Sequence, residues 1–151
     1  MANKPILFYA VEDLIASGVK DIGIIVGPNR SQVENAVKNR SWDAKIEFIP
    51  QDMPIGLAHT VMIAESFIVN EPFIVYLGDN LLCNGIADHA RTFQNSGADA
   101  SILLAEVDHL KRFGVAELNE NGKVIRLVEK PKTPSFQTGP GRSLYLQPVI
   151  F

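Results

Sequence analysis

The spacing of apolar positions changes repeatedly along this chain, and the changes mark out its elements. Between Pro5 and Ser17 apolar residues fall at Ile6, Leu7, Ala10, Val11, Leu14 and Ile15, a helical spacing that leaves Glu12 and Asp13 outside. Pro5 suits a first helical turn and Gly18 a stop. Residues 22–26 form a short apolar run that ends in Gly27-Pro28-Asn29, which predicts a strand and then a turn. Ser31 with Glu34 predicts a capping box on a small helix through Lys38. Residues 45–49 alternate, Ile46 and Phe48 against Lys45 and Glu47, as a strand near an edge does. Helical spacing returns from Leu57 to Phe67 after the loop 50–56.

Residues 73–77 (Phe-Ile-Val-Tyr-Leu) are too short and too rich in β-branched and aromatic side chains for an ordinary helix. They predict a strand buried on both faces, as in a parallel sheet. That strand stops at Gly78 and delivers Asp79 and Asn80. A helix from about Gly85 to Asn95 and an apolar strand over 100–107 follow. Residues 114–118 and 124–128 flank Asn121-Gly122, a strong short-range hairpin signal. Alternating strands and helices followed by a hairpin predict an α/β fold. It is a Rossmann-like, mostly parallel sheet flanked by helices, with an antiparallel hairpin.

Composition narrows the class. With 151 residues the chain can build one sizeable core, and 46% hydrophobic with 21% charged residues is ordinary for a globular domain. A formal charge of −3 without a basic run gives no sign of nucleic-acid or membrane partners. One cysteine, Cys83, cannot form an internal disulfide, so a cytoplasmic location is expected.

Three loops are expected at one end of the sheet, where open α/β folds bind ligands. Gln51 carries both donors and an acceptor suited to a flat base, and Gly56 lets a ring approach its backbone closely. Asp79 offers hard oxygens for Mg²⁺ or a ribose hydroxyl. Glu129 can accept hydrogen bonds from sugar hydroxyls, and Lys130 is a point charge suited to a phosphate. Each also has a plain structural reading. Gly-Asp-Asn makes an ordinary turn or cap, Glu129-Lys130 a surface ion pair and Gly56 a helix start. His59 reads as packed or solvated inside a helix, and Phe113 as core.

The order and spacing of these pieces resemble the sugar-nucleotide pyrophosphorylases, most closely the glucose-1-phosphate thymidylyltransferases. The likeness rests on Lys4-Pro5-Ile6-Leu7, the run from Pro50 to Ala58, Leu77-Gly78-Asp79-Asn80, the run from Phe113 to Leu118, and Val128-Glu129-Lys130-Pro131-Lys132. It covers residues 3–134. The resemblance implies transfer of a nucleotidyl group from a nucleoside triphosphate, dTTP favoured, to a sugar 1-phosphate, glucose 1-phosphate favoured, with Mg²⁺ as cofactor. It further implies that Gln51, Gly56 and Leu57 contact the base and that Asp79 binds Mg²⁺ near the α-phosphate and ribose. Gly114 and Glu129 would then contact the sugar and Lys130 its phosphate.

Two departures set the remaining expectations. The family's first strand and glycine-rich, Arg-ended phosphate loop have no counterpart here, and Gly139-Pro140-Gly141-Arg142 does not stand between a strand and a helix. The chain is therefore expected to be a nucleotidyltransferase domain over 1–132, truncated at both ends and inactive alone. The alternative is a non-catalytic nucleotide- or sugar-phosphate-binding or assembly protein. Residues 133–151 read as an irregular tail, with 136–147 outside the sheet. Relatives carry an apolar strand there, and codons can be chosen for 136–145 that encode such a run when read one base later, which suggests a local change of frame. Without the family's first strand, 22–26 and 73–77 are expected to pair with each other or with a second copy, making a homo-oligomer.

Overall fold

The computed structural model describes residues 3–69, 71–105, 114–129 and 143–150. It divides into two units, 1–99 and 100–150. The first unit runs α1 (Ile6–Ala16), β1 (Asp21–Val26), α2 (Arg30–Lys38), β2 (Lys45–Pro50), α3 (Leu57–Ile63), α4 (Glu65–Ile68), β3 (Val75–Tyr76) and α5 (Ala87–Ser96). β1 and β2 pair in parallel, from Asp21 with Lys45 to Val26 with Pro50. Burial along β1 alternates, and Ile22, Ile24 and Val26 turn inward to join Phe8, Val11 and Val37 in a buried cluster. Trp42 sits over it, edge-on to Phe8 with ring centroids 5.0 Å apart, and its indole N–H donates to the Val37 carbonyl at 3.0 Å.

The helix ends follow local chemistry, with one exception. Gly18 and Gly97 take positive φ just past α1 and α5, as expected of stop residues. Ser31 does not cap α2. The cap position is Asn29, no side chain caps the helix, and Glu34 is instead ion-paired with Arg30 and Lys38. The helix expected over 57–67 is interrupted at Ala64, leaving α3 and the single turn α4.

The expected buried strand over 73–77 is reduced to Val75–Tyr76, half-buried, and Phe73 is 37% exposed. Nor does this stretch pair with 22–26. Among the described residues β1 pairs only with β2, and a groove of about 690 Å³ is lined by β1 on one side and 71–78 on the other. A stretch expected to be buried on both faces thus lines a groove.

In the second unit β4 (Ile102–Ala105) and β5 (Gly114–Leu118) each pair with β7 (Ser143–Ile150), and β5 pairs with β6 (Val124–Glu129), all antiparallel. The β5–β6 hairpin turns through Asn119–Lys123. Asn119 Oδ1 accepts from the backbone N–H groups of Asn121 at 3.0 Å and Lys123 at 2.9 Å, while Gly122 takes φ +76°. β7 corrects the reading of the tail, because residues 143–147 lie in the sheet between β4 and β5. Pro148, which has no N–H to give, falls where the β4–β7 register slips: Leu103 faces Gln147 and Ile102 faces Ile150. Residues 133–142 lie outside the described residues.

Candidate functional site

Gln51 follows β2 directly, and its backbone N–H donates to the Val26 carbonyl at 2.8 Å, tying it to the end of β1. A cavity of about 220 Å³ opens there, lined by Gly27, Arg30, Pro50, Gln51 and Asp52 among others. This is the carboxyl end of a parallel strand pair, the usual ligand position in such sheets. The Gln51 side chain is half-buried, and its Nε2 lies 3.1 Å from Nδ1 of His59 on α3. With His59 accepting, Oε1 and one amide hydrogen of Gln51 remain for a ligand. The sequence reading placed His59 as packed or solvated. The signal it lacked was this bond, since helical periodicity names a face and not a partner.

Gly56 caps α3 with φ +111°, a backbone that side chains rarely adopt, and a Cβ there would meet nothing within 4 Å. The backbone is accordingly open to close approach. Leu57 beside it is 49% exposed, an apolar surface next to Gln51, and both line the larger groove together with Gly78.

Asp79 is exposed in the turn after β3, where the Asn80 N–H donates to the Leu77 carbonyl at 3.0 Å. Gly78 fits this turn against α1, since a Cβ there would stand 3.0 Å from Leu7 Cδ1. Among the described residues nothing engages the Asp79 carboxylate, and the buried Asn80 Nδ2 has no hydrogen-bond partner. No group of three or more His, Cys, Asp or Glu side chains among them could hold a metal ion. One free carboxylate fits a Mg²⁺ held chiefly by phosphate oxygens, and does not fit a metal caged by protein. At the end of β3, the Tyr76 hydroxyl donates to Asp13 Oδ2 at 3.0 Å. Burial, then that hydrogen bond, pushes the phenol up to about 12.

The expected sugar-side residues belong to the second unit. Gly114 is buried at the start of β5 and stands opposite Glu129 in the β5–β6 ladder. Lys130 and Phe113 lie outside the described residues. The structure therefore gathers Gln51, Gly56, Leu57 and the Gly78–Asn80 turn in one unit, and pairs Gly114 with Glu129 in the other. No described helix is long and apolar enough to cross a membrane.

Comparison with known proteins agrees with this architecture. A glucose-1-phosphate thymidylyltransferase of Streptomyces antibioticus is 43% identical over 136 residues, which is 89% of this chain and 38% of that protein. One from Streptomyces griseus is 42% identical over 135 residues, with the same coverage. The chain thus spans less than half the length of these curated relatives. A Bacillus anthracis crystal structure, assigned as a glucose-1-phosphate thymidylyltransferase and solved with sucrose, superposes with a TM-score of 0.84 at 29% identity. The match covers 97% of this chain and 57% of that one. The sequence profile of the nucleotidyl transferase family matches residues 1–146, and the chain belongs to that family.

Proposed function

We propose that this chain supplies the base- and sugar-recognising part of a site that joins a nucleoside triphosphate to a sugar 1-phosphate, with dTTP and glucose 1-phosphate as the favoured pair. In that reaction a sugar-phosphate oxygen bonds to the α-phosphorus while the bond from that phosphorus to the bridging oxygen breaks, and pyrophosphate leaves. The observation that carries the reading is Gln51, anchored by His59 and opening on a cavity at the carboxyl ends of β1 and β2. Its free amide hydrogen and Oε1 match the acceptor and N–H of a pyrimidine imide edge, with Gly56 and Leu57 admitting the ring. Asp79 would take Mg²⁺, which neutralises phosphate charge when bound. Gly114 and Glu129 face the sugar in this reading, and Lys130 its phosphate.

The 151 residues contain no glycine-rich phosphate loop set between a strand and a helix. Such transfers depend on positioning and preorganised charge, and losing one preorganised donor costs roughly two to three orders of magnitude in rate. The expected behaviour of this chain by itself is recognition without appreciable turnover. The test is titration with dTTP and Mg²⁺, followed by a pyrophosphate-release assay with glucose 1-phosphate. Saturable dTTP binding, weakened roughly tenfold in Gln51→Ala, supports the proposal. Binding unchanged in Gln51→Ala, or turnover of about 1 s⁻¹ or more that vanishes in Asp79→Ala, would overturn it.

A further inference from the structure

Gln51 is held from two directions. Its backbone N–H donates to the Val26 carbonyl at 2.8 Å, which fixes it at the end of the β1–β2 pair, and its side-chain Nε2 stands 3.1 Å from His59 Nδ1 on α3. A glutamine amide has one edge that carries Oε1 beside an N–H, while its second N–H points away from that edge. With the outward N–H given to His59, the edge left for a ligand carries one donor and one acceptor in a set order. The terminal torsion that would reverse this order is broad and roughly two-fold, so an unrestrained glutamine presents either order at little cost. Here reversal would set Oε1 against Nδ1, two acceptors at hydrogen-bond distance between half-buried side chains. His59 is placed in turn by α3, which opens with Leu57 beside Gly56, the half-exposed apolar surface that would admit a ring. One short helix thus carries both the surface for a ring and the group that orders the amide the ring would meet.

We infer that His59 is a positioning residue that makes Gln51 selective for bases in which a carbonyl adjoins a ring N–H, as in thymine and uracil, over cytosine, in which an amino group adjoins an unprotonated ring nitrogen. A thymine ring accepts from the Gln51 N–H at its carbonyl and donates its ring N–H to Oε1. Cytosine in the same pose sets donor against donor and acceptor against acceptor, and only a reversed amide would receive it. Rejection of this kind leaves polar groups unpaired, which discriminates more sharply than a fit of shape does. The assignment rests on Gln51 meeting the base, as proposed above.

The test measures dissociation constants of dTTP and dCTP, each with Mg²⁺, for the full 151-residue chain and two variants. His59→Phe keeps a ring on α3 and removes the acceptor, whereas His59→Asp puts there a side chain that only accepts. The wild type should favour dTTP over dCTP by about tenfold or more. His59→Phe should shrink that ratio about fivefold or more, because the amide is then free to turn toward cytosine. His59→Asp should keep the ratio, although its charge weakens both nucleotides. Nitrogen-15 NMR of the free wild type at about pH 8, where an ordinary imidazole is neutral, should show the His59 ring proton on Nε2 and none on Nδ1. A ratio unchanged in His59→Phe while dTTP binding still depends on Gln51, or a proton on Nδ1, would overturn the inference and leave the reading of Gln51 standing. Equal loss of preference in both variants would also overturn it, assigning His59 to packing alone. No saturable dTTP binding by the wild type would overturn both.

Discussion

The two sides of β1 meet opposite surroundings. Toward β2 the strand is paired along its whole length, and Ile22, Ile24 and Val26 are buried in one cluster with Phe8, Val11 and Val37. Toward residues 71–78 the same strand borders a groove in which Phe73 is 37% exposed and Leu57 49%. The side chains on the two sides are of one kind, apolar and largely β-branched or aromatic. What differs is whether a neighbouring element is present to receive them. Hydrophobicity of a residue therefore decides where it could be buried, and completion of the sheet decides whether it is.

The largest test of this contrast sets two phenylalanines against each other. Phe8 is 8% exposed and in ring contact with Trp42, so Phe8→Ala should cost about 3–5 kcal/mol in urea-unfolding stability. Phe73→Ala on the groove side should cost about 1 kcal/mol or less. Equal losses would mean that the groove is closed in solution.

Alkaline titration gives a smaller effect from the groove side. Tyr76 lines the groove, and its phenol is pushed up to about 12 by burial and by Asp13. A pKa raised on folding adds stability that is fully present below about 10 and disappears as pH rises toward 12, because the unfolded chain ionises first. Tyr76→Phe should cost about 1 kcal/mol at neutral pH, from the lost hydrogen bond, and should flatten the stability profile above pH 10. An unchanged alkaline slope in the variant would show that Tyr76 is solvated in the free chain.

The same contrast explains what the sequence could disclose. Signals settled within a few residues were legible: Gly18 at a helix end, the turn through Asn121-Gly122, and the edge-like alternation over 45–49. The positions of Gln51, Gly56 and Asp79 in the fold also follow local signals, because each directly follows or opens an element. Features settled by a distant neighbour were not. The strand expected over 73–77 spans only Val75–Tyr76, and the hydrogen bond of His59 depends on Gln51 eight positions earlier. Ser31 makes no capping box because the helix starts one residue earlier, at Arg30, and Pro148 falls in β7 where the β4–β7 register slips.

The smallest expected effect belongs to the closed side, at Glu12 on α1. Its carboxylate is paired with Lys4 and accepts from Arg40 at 2.7 Å, and the Arg40 guanidinium stacks 4.5 Å from the Trp42 ring centroid. This latch ties α1 to the segment after α2, over the core that contains Phe8. The hydrogen bond from Lys4, with Arg40 adding to it against a desolvation cost, holds the Glu12 pKa below its usual 4.5. A carboxylate whose pKa is depressed by folding contributes stability that is present above 4.5 and lost as pH falls through the lower folded value. Glu34, lowered by Lys38 and Arg30, titrates in the same direction, so Glu12→Gln should flatten the acid limb only in part. Because the pair is partly exposed, the loss at pH 7 should be about 1 kcal/mol or less and should shrink further in high salt. Urea unfolding at pH 7 and pH 3 decides it: the wild type and Glu12→Gln should differ at pH 7 and converge at pH 3. A difference that persists at pH 3 would assign the effect of Glu12 to packing on α1 rather than to its charge.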